Sequence, residues 1–103
     1  MKIKTDTILV GLDGKYIPIS IDSPLPFSIG KAIANLLTIP KKGGKKFEPF
    51  KSYELAKKFY NNPEVEVDKA DFAVLKEIVE KDENYSALII GQILEQFENI
   101  KEK

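Results

Sequence analysis

Three residue types that carry much of protein chemistry are missing from this chain of 103 residues: cysteine, histidine and arginine. Without cysteine there are no disulfides and no thiolate metal sites, which excludes a disulfide scaffold. Without histidine the chain lacks the commonest general base and the commonest metal ligand. Without arginine it lacks the planar fork that best recognises phosphate and guanine. We therefore expect a protein that is not an enzyme and that holds no metal and no cofactor.

Charged residues are present in equal numbers of each sign but are unevenly placed along the chain. Residues 1–63 hold 11 lysines against 5 acidic residues, whereas residues 64–103 hold 5 lysines against 11 acidic residues. Such patterning concerns solubility and association more than fold. The first residues form no apolar signal region, and no segment approaches the ~20 apolar residues of a membrane span. We expect a cytoplasmic protein that makes no contact with a membrane.

The length fits a single domain with one modest core, which we assign to residues 1–103. Apolar residues make up 43% of the chain and charged residues 31%, proportions typical of a folded domain. The predicted elements are two strands, a helix, a loop, a second helix, a third strand and two more helices. This order predicts an α+β domain in which an N-terminal β-hairpin and a short third strand pack against about four helices.

The hairpin is predicted from Asp13-Gly14, which separates two apolar segments. An Asp-Gly pair suits a two-residue type I′ turn, in which both central residues need a positive φ. This turn pairs Val10 with Ile17 and Ile8 with Ile19. All four side chains then share one face of the hairpin, which we expect to be buried.

Capping residues and apolar stripes predict four helices. The expected N-caps are Ser28, Ser52, Asp68 and Ser86. The side chains expected to face inward are Ile29, Ile33, Leu36 and Leu37 in the first helix, Leu55, Ala56, Phe59 and Tyr60 in the second, and Ile89, Ile93, Phe97 and Ile100 in the last. Residues 64–67 form the third strand, with Val65 and Val67 on its buried face. Gly91, inside the last helix, is expected to let a neighbouring backbone approach closely.

The segment between the first two helices combines positive charge with aromatic side chains, and we predict it to be the partner-binding site. Its candidate residues are Lys41, Lys42, Lys45, Lys46, Phe47, Phe50 and Lys51. Binding residues are common on loops held by rigid elements, and exposed aromatic residues often anchor interfaces. A phosphate-binding loop is excluded, because Phe47 stands where serine or threonine is needed. The alternative is that both phenylalanines are buried and the lysines only keep the loop in solvent.

Several stretches of the chain resemble short proteins encoded by phages and prophages. They read LDGK at 12–15, YELAKK at 53–58, VEVDKADF at 65–72, LKEIV at 75–79 and IGQILE at 90–95. These are mostly core and capping positions, and the proteins that they resemble are mostly uncharacterised. The resemblance implies a small accessory protein of a virus or mobile element that acts by binding, and it assigns no functional residues.

These observations favour a non-enzymatic protein-binding module that engages a host or virion protein. The alternative is a nucleic-acid-associated protein that uses the basic surface from Lys41 to Lys58, where lysines and aromatic rings are interleaved. We also expect self-association as a homodimer. The strand that contains Pro18 offers a sheet edge, and the two halves of the chain carry opposite charge.

Overall fold

The computed structural model of the chain describes residues 1–20, 23–39 and 46–100, and for residues 19, 20, 23 and 24 it describes the backbone alone. The strands are β1 (Lys2–Lys4), β2 (Pro18–Ser20), β3 (Ser23–Pro26) and β4 (Glu64–Glu66). The helices are α1 (Ile29–Thr38), α2 (Pro49–Asn61), α3 (Lys69–Glu80) and α4 (Ala87–Glu98). The domain is α+β, as the sequence predicts. In the part of the chain that is described, no helix is both long and apolar enough to cross a membrane.

The first strand pairs with the strand that follows α2. β1 and β4 are antiparallel, and Ile3 lies opposite Val65. Both of these side chains are buried, while their strand neighbours face solvent. An isolated hairpin is marginal in water, so the sequence also predicts that residues 65–67 add to it as a third strand. In the structure β4 pairs with β1, in a two-stranded sheet separate from that of β2 and β3.

Three short segments meet where the hairpin begins. The backbone amide of Leu9 donates to the carbonyl of Phe27 (2.8 Å), that of Phe27 to the carbonyl of Ile17 (2.7 Å), and that of Ile17 to the carbonyl of Leu9 (3.0 Å). The three hydrogen bonds close a ring. Leu9 and Phe27 are buried, and Ile17 packs against the core from a partly buried position. β2 and β3 extend from this ring as an antiparallel pair.

The turn at the hairpin tip differs from the predicted type I′ turn. Gly14 has a φ of 83° and is the one described residue with a positive φ, so Asp13 does not adopt the conformation that a type I′ turn requires. The Gly14 amide donates to the Gly11 carbonyl (3.0 Å), and Val10 therefore pairs with Tyr16 instead of Ile17. A shift of one residue moves side chains to the other face of a strand.

As a consequence, the prediction that Ile8 and Val10 face the core from the first strand of the hairpin is wrong. Leu9 is fully buried, whereas Ile8 and Val10 are 41% and 37% exposed. On the second strand, Ile17 packs against the core as predicted. The side chain of Ile19 lies outside the part that is described.

The helix α1 is the centre of the core. Ser28 caps it by accepting a hydrogen bond from the Lys31 amide (3.2 Å), and the predicted stripe of Ile29, Ile33, Leu36 and Leu37 is buried. Gly30 allows this helix to approach its neighbours, because a Cβ at that position would lie 2.4 Å from the carbonyl oxygen of Phe59 and 2.5 Å from the Cβ of Thr5. The close approach therefore occurs at Gly30.

The second helix begins earlier than the sequence predicted. Its N-cap is Glu48 and Pro49 is its first residue, so Ser52 lies inside the helix. Proline suits the first helical position, because its fixed φ is helical and its missing amide would have had no partner there. Leu55, Ala56 and Phe59 are buried as predicted.

The last two helices form an antiparallel pair joined by a short turn. Asp68 caps α3 by accepting a hydrogen bond from the Asp71 amide (2.7 Å), as predicted. The rings of Phe72 and Phe97 lie 5.1 Å apart between the helices. Ser86 precedes α4 but makes no side-chain capping bond.

The prediction that Gly91 lets a neighbouring backbone approach closely is wrong. A Cβ at this position would meet no atom within 4 Å.

Candidate partner-binding surface

The predicted binding residues are not all described. Lys41, Lys42 and Lys45 lie outside the described residues. Lys46 is described and is exposed, in a short segment that leads into α2.

The two phenylalanines of the predicted site have different surroundings. Phe47 is 8% exposed and belongs to the hydrophobic core. Phe50 is 72% exposed, on the first turn of α2. Phe47 therefore stabilises the fold, and only Phe50 offers an aromatic surface to a partner.

Lys51 is engaged within the protein. Its Nζ lies 2.8 Å from an Oδ1 of Asp71 and 5.5 Å from the centre of the Phe47 ring. The hydrogen bond from Lys51 to Asp71 raises the pKa of the lysine above its usual value, and the negative charges of Asp71, Asp68 and Glu48 act in the same direction. This ion pair joins α2 to α3 at the surface, so the Lys51 ammonium already has a partner within the protein.

An exposed aromatic stripe runs along α2. Phe50, Tyr53, Lys57 and Tyr60 follow one another at intervals of three, four and three residues, which places them on one side of a helix. Tyr53 and Tyr60 are 55% and 56% exposed. The prediction that Tyr60 faces inward is therefore wrong. We call these four residues the α2 face.

Lysine side chains lie against the tyrosines of the α2 face. The Nζ of Lys57 is 4.6 Å from the centre of the Tyr53 ring, and the Nζ of Lys31, from α1, is 5.8 Å from the centre of the Tyr60 ring. A cation within about 6 Å of a ring centre is attracted by the ring's electrons. The surface is therefore both aromatic and positively charged.

Concave regions border the α2 face at both ends. One, of about 560 Å³, lies between the end of α1 and the start of α2 and includes Tyr53 in its wall. The other, of about 380 Å³, lies between residues 5–8, residues 25–28 and the end of α2, and includes Tyr60 in its wall. The tyrosines of the α2 face thus mark the rims of two depressions.

The tip of the hairpin carries a second group of exposed apolar side chains. Leu12 is 97% exposed, Tyr16 51% and Val10 37%. Among the described residues, no lysine ammonium lies over the Tyr16 ring, in contrast to the tyrosines of the α2 face. The exposed residues of the hairpin provide a matched control for experiments on α2.

The spacing of the aromatic residues in the sequence could have predicted the α2 face, but the predicted start of the helix at Ser52 is too late. The intervals between residues 50, 53, 57 and 60 are helical only if the helix already includes Phe50. A helix capped by Ser52 leaves Phe50 in the loop and places Tyr60 in the buried stripe beside Phe59. Pro49, a typical first helical residue, indicates the earlier start.

Carboxylates do not gather into a metal-binding group in the described part of the chain, where no set of three or more acidic side chains is placed to hold an ion. Comparison of the chain with known protein families, with curated proteins and with solved structures finds no match. The resemblance to phage-encoded proteins stays a prediction from the sequence.

Proposed function

We propose that this protein is a non-enzymatic binding module that engages another protein through the α2 face. The observation that carries the proposal is that Phe50, Tyr53 and Tyr60 remain more than half exposed along one side of a helix. Large aromatic side chains usually bury much of their surface on folding, and interfaces are enriched in tyrosine. A partner that covers this stripe would remove all three rings from water.

The positive charge of the α2 face favours a partner with an acidic surface. Lys31 and Lys57 lie on the rings, and Lys58 is exposed on the same helix. An acidic protein surface matches this arrangement, since complementary charge accelerates association and favours the correct partner. The resemblance to phage-encoded proteins suggests that the partner is a host or virion protein, met in the cytoplasm of the host cell.

The test compares two triple variants of matched character. One variant carries Phe50→Ser, Tyr53→Ser and Tyr60→Ser, and the control carries Val10→Ser, Leu12→Ser and Tyr16→Ser. Each protein is used to capture partners from a lysate of the host cell, and the affinity for any stoichiometric partner is then measured with purified proteins. We expect the α2-face variant to bind at least about thirtyfold more weakly, because one interface anchor alone contributes ~2 kcal/mol or more. Equal affinity for both variants would place the site elsewhere.

A second candidate function is the binding of single-stranded nucleic acid. The interleaved lysines and tyrosines of the α2 face supply the two elements that such binding uses, which are charge for the backbone and rings for the bases. Fluorescence anisotropy with a labelled oligothymidine and an oligouridine, over a series of salt concentrations, tests it. Phosphate contacts make affinity fall steeply as salt rises. Failure to bind either oligonucleotide at low salt removes this candidate.

Self-association as a homodimer is a further proposal, and the hairpin edge contributes less to it than the sequence suggested. The strand that contains Pro18, β2, is paired with β3, and Pro18 lies opposite Pro26. Covering an edge in this way reduces its tendency to pair with another chain. The remaining support is the opposite charge of the two halves of the chain. Sedimentation that shows only monomer at high micromolar concentration would dispose of this proposal.

A further inference from the structure

The larger depression beside the α2 face has the character of a small-molecule site. It encloses about 560 Å³, within the range of typical ligand pockets. Leu37 and Ile39 from the end of α1, Phe47 from the segment before α2, and Ile78 from α3 supply its apolar lining. Three of these four side chains, all except Ile39, are at least nine-tenths buried and belong to the core. The apolar lining is therefore held in place by the fold.

Polar groups complete the wall of this pocket. Thr38, Ser52 and Tyr53 contribute hydroxyl-bearing side chains, and Lys46 contributes an ammonium group. Ligand sites are commonly apolar with a few polar groups that orient the ligand. Among the described residues of the lining, Lys46 is the one cation and none is acidic. This part of the lining therefore matches a molecule with an apolar body and a negatively charged group.

We propose that this pocket binds an amphipathic carboxylate, with its hydrocarbon part against Leu37 and Phe47 and its carboxylate directed to Lys46. Burial of the hydrocarbon part supplies the affinity, at about 25 cal/mol per Å² of apolar surface. The ammonium of Lys46 supplies the preference for an anion, and the hydroxyls of Ser52 and Tyr53 offer hydrogen-bond donors to the carboxylate oxygens. This site goes beyond the proposed protein-binding function and does not depend on it.

Decanoate is the probe that tests the proposal. We expect a titration followed by ¹H–¹⁵N spectra of the full chain to produce saturable shifts at Thr38, Ile39, Ser52 and Ile78. Leu12 and Leu25 have exposed apolar side chains but do not line this pocket, so their amide signals should not shift. Decylamine, which has the same hydrocarbon chain and the opposite charge, should bind more weakly. Absence of saturable shifts, uniform shifts over all exposed apolar residues, or equal binding of decylamine would each overturn the proposal.

Three variants assign the roles of the lining residues. Lys46→Gln should weaken decanoate binding by about fivefold, the value of an exposed ion pair, and should strengthen decylamine binding, because the repulsion between two ammonium groups is removed. Ser52→Phe should abolish binding by filling the pocket, provided that its spectrum shows a folded protein. Phe50→Ser is the matched control, because Phe50 is exposed on the same helix but does not line the pocket. Unchanged decanoate affinity in Lys46→Gln, or an equal loss in Phe50→Ser, would contradict the assignment whatever the protein partner proves to be.

Discussion

The side chain of Gln92 forms two hydrogen bonds with the backbone of Val10, a residue 82 positions earlier in the chain. The Val10 amide donates to the Gln92 Oε1 (2.9 Å), and the Gln92 Nε2 donates to the Val10 carbonyl (2.7 Å). One turn further along α4, Gln96 donates to the hydroxyl of Thr7 (3.0 Å). The last helix therefore takes the place of a neighbouring strand along this edge of the hairpin.

Replacing Gln92 with alanine should lower the free energy of unfolding by about 1 kcal/mol, the net value of one to two ordinary hydrogen bonds at a partly exposed position. Urea unfolding followed by circular dichroism measures the change. Glu95→Ala is the control, because Glu95 is exposed on the same helix and should change stability by less than ~0.5 kcal/mol. Equal effects of the two substitutions would mean that the pairing with Val10 contributes nothing.

Two glycine-to-alanine substitutions should change stability in opposite directions. Gly30→Ala forces the new methyl group against the backbone of α2 and against Thr5, and we expect a loss of about 1–3 kcal/mol from overpacking. Gly91→Ala places a methyl group in open space within a helix, and we expect a gain of ~1 kcal/mol from helix propensity. Thermal and urea unfolding of both variants provide the comparison. A loss of stability in Gly91→Ala would show that this position has a contact not seen here.

The two phenylalanines of the predicted site should respond differently to truncation. Phe47→Ala removes a buried ring and should cost about 3–5 kcal/mol. Phe50→Ala removes a ring that is mostly in water and should cost less than ~0.5 kcal/mol. Chemical unfolding distinguishes these values easily. Similar losses in the two variants would mean that Phe50 is covered in solution.

The turn at the hairpin tip should depend on glycine at one position. Gly14 has a φ of 83°, in the region that costs other residues about 1–2 kcal/mol. Gly14→Ala should therefore destabilise the protein by about that amount, and Gly14→Asn by less, because asparagine tolerates this conformation better. The ranking of the three proteins in a urea titration is the test. An alanine variant as stable as the parent would imply that the turn adopts another conformation.

The ion pair between Lys51 and Asp71 makes a contribution to stability that should be lost at high pH. The pKa of Lys51 is raised in the folded protein, first by its hydrogen bond to Asp71. The stabilisation is therefore complete below the unfolded value near 10.5 and is lost as pH rises through the higher folded value. Lys51→Gln should be less stable than the parent at neutral pH, and the difference should vanish at strongly alkaline pH. A difference that stays constant across this range would contradict the pairing.

The sequence predicted the features of the fold that depend on nearby residues. Ser28 and Asp68 act as caps and the stripe of α1 is buried, because both features depend on residues within a few turns of helix. The register of the hairpin was missed, since an Asp-Gly pair suits both a two-residue turn and the longer turn that forms here. The pairing of β1 with β4 was missed for a different reason. It joins segments that are far apart in the chain, and no local pattern specifies it.

The candidate site was predicted in part. Positive charge and aromatic residues near the start of α2 were identified, but burial distributes the two phenylalanines between core and surface in a way that composition does not reveal. Tyr60 was placed inside because it adjoins Phe59, although adjacent positions on a helix lie about 100° apart. The exposed aromatic residues form one stripe only because α2 begins at Pro49 and so includes Phe50.

The pairing of β1 with β4 has a consequence for how the protein is made. During synthesis, Lys2 emerges well before its partner Glu66, which is added only after both α1 and α2 are complete. The β1 strand therefore leaves the ribosome without a neighbour, with its hydrogen-bonding groups and Ile3 exposed for as long as it takes to translate the intervening residues. Nascent chains in this state are open to chaperones and to incorrect pairing. Synonymous codons that slow translation just before residue 64 would lengthen this exposure and lower the yield of folded protein without altering any amino acid.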